Sequence, residues 1–66
     1  MDAMVEARIE ELRGLLTRLD EYRRLWKAVA ALPESPNKQI WLKAIARLGD
    51  KTNRDFNQIL SALYLN

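Results

Sequence analysis

Leu32-Pro33-Glu34-Ser35-Pro36-Asn37 is the stretch on which the fold turns. Pro33 disfavours helical backbone at Leu32, the residue before it. Ser35 is a good N-cap, and Pro36 suits the first helical position, where a missing N–H leaves no bond unmade. One helix ends here and another begins.

Working back toward the N-terminus, a first helix is expected over about residues 2–32. Asp2 can cap it, and Glu6 lies in its early turns, favourable to the macrodipole. Its isolated Gly14 costs about 1 kcal/mol relative to Ala. Val5, Ile9, Leu12, Leu16, Leu19, Trp26 and Ala30 alternate four and three apart, broken only by Arg23, as in a coiled-coil seam. A second row, Leu15, Tyr22, Leu25, Val29 and Leu32, begins halfway along. Residues 4–14 thus offer a narrow stripe that one neighbour covers, and residues 15–32 a wide face that needs two.

Working forward, a second helix is expected over about 36–48, burying Ile40, Trp41, Ala44, Ile45 and Leu48, with Lys38, Gln39, Lys43 and Arg47 outward. Gly49 fits a left-handed residue just past a helix end. A turn at 49–52 would follow, with Thr52 and Asp55 spaced like a capping box. A third helix, about 53–65, sets Phe56, Ile59, Leu60, Leu63 and Tyr64 on one face. The expected fold class is all-α: a long N-terminal amphipathic, coiled-coil-like helix followed by two shorter ones, in one domain of 66 residues.

Two assemblies satisfy this pattern. The two short helices can run end to end, kinked at Gly49, back along helix one as a closed hairpin. Alternatively the third turns sharply and packs beside the second, leaving Val5–Leu16 bare for another chain. The widening of the apolar face at Leu15 favours the second. Trp26 and Trp41 are expected in the core beneath the proline turn.

Composition narrows the function. A chain this short buries only about 60% of the surface its unfolded form exposes. With no Cys and no His, disulfides, thiolate metal sites and the commonest general base at neutral pH are absent. Oligomerisation or a partner is the remaining route to stability. No apolar run approaches the roughly 20 residues of a membrane span, and MDAMVEARIEEL is not a secretory signal, so a cytoplasmic location is expected. Residues 1–33 balance in charge, and the net +2 comes from the second half.

No phosphate loop, metal-ligand cluster or His-paired nucleophile occurs, so neither catalysis nor a cofactor, metal or small-molecule substrate is expected. Leu12 to Glu21, with Arg13, Arg18 and Asp20, resembles the opening helix of the all-helical chorismate mutases over about ten residues. The further arginine that family needs about ten positions beyond the Asp is Ala30 here, so the resemblance implies no such activity. The helix–Pro-x-x-Pro–helix layout at Pro33–Pro36 resembles type III secretion needle subunits, two-helix hairpins that polymerise. Gly49–Asn53 is expected to interrupt the second arm where those subunits continue.

The expectation is a protein-interaction or oligomerisation module, a homodimer or partner-bound, using Val5, Ile9, Leu12, Leu16, Leu19, Tyr64 and Leu65. The alternative is a dimeric helix-turn-helix regulator with the third helix reading DNA. Arg54 would then pair with guanine, Asn57 and Gln58 with adenine, Ser61 with phosphate, and Lys43, Arg47 and Lys51 with the backbone. Asp50 and Asp55 would face those phosphates. A role on a membrane surface fits worse, because the first helix is charge-balanced rather than basic.

Overall fold

A computed structural model of the chain describes residues 2–65. It contains two helices, α1 over Ala3–Ala30 and α2 over Pro36–Leu65. At 1.5 Å per residue these are about 42 and 45 Å long. They fold back on each other as an antiparallel hairpin: Val5 and Ile9 lie near Ala62 and Leu63, Leu15 near Ile59, and Leu25 and Val29 near Trp41. The Cα body measures 50 × 16 × 11 Å.

Local chemistry sets the ends as the sequence indicates. The Met4 N–H donates to Asp2 Oδ1 at 3.0 Å, and the Lys38 N–H donates to Ser35 Oγ at 3.1 Å. α1 closes with the Ala31 N–H donating to the Lys27 carbonyl at 3.1 Å and the Leu32 N–H to that of Val29 at 3.0 Å. Lys38 does not point outward as expected. Its Nζ reaches back 3.0 Å to the Leu32 carbonyl and 3.5 Å to Glu34, closing the turn from the far side. Gln39 donates to Glu34 Oε1 at 2.6 Å. That amide bond, more than the Lys38 ammonium, holds the Glu34 carboxyl below its ordinary pKa.

The expected turn at 49–52, and with it the third helix, is absent, since α2 runs unbroken through Gly49 and Thr52. Neither glycine has a positive φ. Thr52 Oγ1 donates back to the Leu48 carbonyl at 2.9 Å, the local bond a threonine makes inside a helix, rather than capping a new one. Packing is the reason. Leu42, Ile45, Gly49, Thr52, Phe56, Ile59 and Leu63, spaced alternately three and four apart, are less exposed residues of α2, joined off this row by Lys38 at the turn and Asp55. A seam of seven such positions buries more by staying straight than a break at Gly49 would recover.

The inward row of α1 is Val5, Leu12, Leu15, Leu19, Tyr22 and Val29, which takes members from both expected rows. Among the described residues only Val29 and Ile45, each 8% exposed, and Thr52, 7%, are buried. Trp26 and Trp41, expected as core, are 43% and 54% exposed. Two straight helices have a single contact line, and both indoles lie beside it. Of the two assemblies, the end-to-end hairpin forms, without its kink. The arm that Gly49–Asn53 was expected to interrupt therefore continues.

Among the described residues no ion pair joins the arms. Arg8–Glu11, Arg13–Glu10 and Arg24–Asp20 lie within α1 on exposed side chains, and Lys38–Glu34 belongs to the turn. Such exposed pairs contribute little, about 0.5 kcal/mol or less each. Among the described residues the register is therefore set by the apolar seam and the turn.

Candidate interaction surfaces

The hairpin has two long edges flanking its seam. Met4, Glu11, Arg18 and Leu25 repeat at sevens along α1, with Leu32 beyond them in the turn, and Trp41, Leu48, Asp55 and Ala62 repeat along α2. Arg18 shares a groove with Asp55 and Gln58, and Leu25 shares one with Trp41 and Ala44, so these two rows form the first edge. Ile9, Leu16 and Arg23 on α1, with Ala46, Asn53 and Leu60 on α2, form the second, since Arg23 shares a groove with Ala46 and Asn53.

Apolar character is divided between the edges. On the first, the half nearest the turn is apolar: Leu25 is 50% exposed, Leu32 46%, Trp41 54% and Leu48 48%. The other half of that edge carries Glu11, Arg18, Asp55 and Gln58 around a groove of about 490 Å³, with the exposed Met4 beyond them at the open end. On the second edge Ile9, Leu16 and Leu60 are the exposed apolar side chains of the open half. Leu25, Val29, Trp41, Ala44 and Ile45 enclose a groove of about 300 Å³ with no polar side chain in its wall.

The residues expected to form an interface divide accordingly. Val5, Leu12 and Leu19 face α2 and are spent within the hairpin. Ile9 and Leu16 stay exposed, and Tyr64 is 89% exposed near the open end. The side chain of Leu65 lies outside the described residues. Sequence reasoning missed the first edge. Its signal is the spacing of seven from Leu25 to Leu32 and from Trp41 to Leu48, which the sequence reading places on a wide face covered by two neighbours and on the buried side of the second helix.

Lys43, Arg47, Lys51, Arg54, Asn57, Gln58 and Ser61 are all exposed on the outward side of one continuous helix. The two-helix unit that would present Arg54, Asn57 and Gln58 as a separate recognition helix is not formed. What remains is a basic row, Lys43-Arg47-Lys51-Arg54, spaced four, four and three apart, none of it ion-paired among the described residues. No group of three His, Cys, Asp or Glu able to hold a metal ion occurs among the described residues, and no helix is long and apolar enough to cross a membrane. No family model, curated protein or solved structure matches the chain.

Proposed function

We propose that the chain is a non-catalytic helical association module of the cytoplasm, which works by laying the apolar edges of its hairpin against another helical surface. One observation carries this reading. The chain exposes 5523 Å², whereas a compact protein of 7.7 kDa exposes about 4,300 Å². Large apolar side chains stand exposed along two edges, Leu25, Trp41 and Leu48 on the first and Ile9, Leu16 and Leu60 on the second, where a neighbouring helix would cover them. The radius of gyration supports the same reading: 15.3 Å, against about 11 Å for a compact domain of this length.

Photo-crosslinking in living cells tests it. A photoreactive residue in place of Trp41 on the first edge, or Leu16 on the second, is expected to give discrete protein adducts. One in place of Arg24, on the outward side of α1, is expected to give none. Adducts of equal yield from all three positions, or from none, would sink the association reading.

A second reading, contact with a polyanion along α2, is favoured by the basic row Lys43-Arg47-Lys51-Arg54. The double variant Arg54→Ala/Asn57→Ala separates the two. Under the association reading, parent and variant alike lack DNA affinity at low salt and form the same crosslinks. A sequence preference in the parent that the variant loses, with helix content unchanged, would favour DNA.

A further inference from the structure

We infer that the occupant of the turn-proximal half of the first edge is a second copy of this chain, packed about a two-fold axis that runs along the hairpin with both turns at the same end. The inference rests on the association reading and names its partner.

Area comes first. Two separate copies expose roughly 11,000 Å² at 5523 Å² each, and a compact body of their joint mass exposes about 7,200 Å². The difference, about 3,900 Å², falls in the range of obligate homodimers, about 2,000–5,000 Å². A second hairpin of equal length laid along one edge fits within that difference, which also includes the exposed side chains of the second edge.

Shape comes second. A two-fold contact requires a surface complementary to itself. The groove among Leu25, Val29, Trp41, Ala44 and Ile45 supplies a hollow, with the small Ala44 in its wall. Leu25 and Trp41, each about half exposed, stand at its rim as projections. Hollow and projection lie on the same edge of each copy, so two copies can fill each other.

Polarity fixes the direction. An overlay of the full length with the turns at opposite ends sets the apolar half of each edge on the polar half of the other, around Glu11, Arg18 and Asp55. With the turns together, apolar meets apolar and polar meets polar over the whole length. Each α1 then lies antiparallel to the α2 of the other copy, as neighbours do in an up-down four-helix bundle.

Charge agrees with this arrangement. Tyr22 and Arg23 share a groove with Gly49 and Asp50, so Glu21 and Lys51 stand level on the two arms. Glu21 lies four residues before Leu25, and Lys51 three after Leu48, which places both on the rim of the first edge. Neither is ion-paired among the described residues. Across the axis Glu21 of one copy meets Lys51 of the other, twice per dimer.

The experiment is sedimentation equilibrium of the purified full chain over a hundredfold concentration range. The expected mass is twice 7.7 kDa. Trp41→Gln/Leu48→Gln should reduce it to the monomer mass, while Leu16→Gln/Leu60→Gln on the second edge should leave it unchanged. Because the first pair could also loosen the hairpin, the rim charges give an independent test at exposed positions. Glu21→Lys and Lys51→Glu should each weaken the dimer roughly tenfold, and the double swap should return it to within about threefold of the parent. A monomer at every concentration, a mass above two copies, a dimer indifferent to Trp41 and Leu48, or a double swap no better than the singles would each overturn the inference. A monomer whose Trp41 position still crosslinks to a different protein would overturn the dimer and leave the association reading standing.

Discussion

Gly49→Ala raises the melting temperature of the hairpin, and Gly49→Pro unfolds it. Gly49 sits in mid-helix with an ordinary helical φ, and a Cβ built on it meets no atom within 4 Å. Alanine there is free of clash, and it recovers the conformational entropy that glycine forfeits in a helix, about 1 kcal/mol. In a domain this small that is an increase of roughly 4–8 °C, read by circular dichroism at fixed protein concentration. Proline removes the N–H that continues the ladder and clashes with the turn before it, costing about 3 kcal/mol or more. The sign of the alanine variant is decisive. A left-handed glycine ending a short helix would make alanine destabilising, so a fall in melting temperature would contradict a continuous α2.

Ile45→Ala and Ile40→Ala should differ far more than two isoleucines five residues apart suggest. Ile45 is 8% exposed at the centre of the seam, and Ile40 is 62% exposed on the outward side of α2. Truncating the first removes buried methyls and leaves a void, a change that costs about 2–5 kcal/mol. Truncating the second should fall within about 0.5 kcal/mol of the parent. For a hairpin with so little buried side chain, the larger figure is a substantial part of its whole stability. Urea titrations of both variants at one protein concentration check this. Equal midpoints would mean that α2 is rotated about its axis relative to the seam described.

The same residues explain what could be read from the sequence. The turn was legible because its chemistry is local: Ser35 caps, Pro36 starts a helix, and both act within a few residues of themselves. Asp2 was legible for the same reason. Gly49 was not, because its local preference points to a helix end, and only the rows on either side of it favour continuity. Leu42, Ile45, Phe56, Ile59 and Leu63 share one seam only if the helix passes through Gly49 and Thr52, and those two break the row as seen by hydrophobicity alone. The apolar face of α1 was legible in content but not in phase. Its two rows each contain seam and edge residues, and the choice depends on where α2 lies. The candidate surface inherits that ambiguity: pattern alone places Trp26 and Trp41 in a core that two helices cannot build.

Among the described residues the arms share no ion pair, so no such contact favours the open end over the turn. Closing a loop costs more as it lengthens, by about (3/2)RT ln n. The shortest loop is the one around Pro33–Pro36, already drawn in by Lys38 and Glu34. Folding is thus ordered along the molecule like a zip: it nucleates where Val29 meets α2 and travels outward, so that Val5 and Leu63 are the last to engage and the first to part.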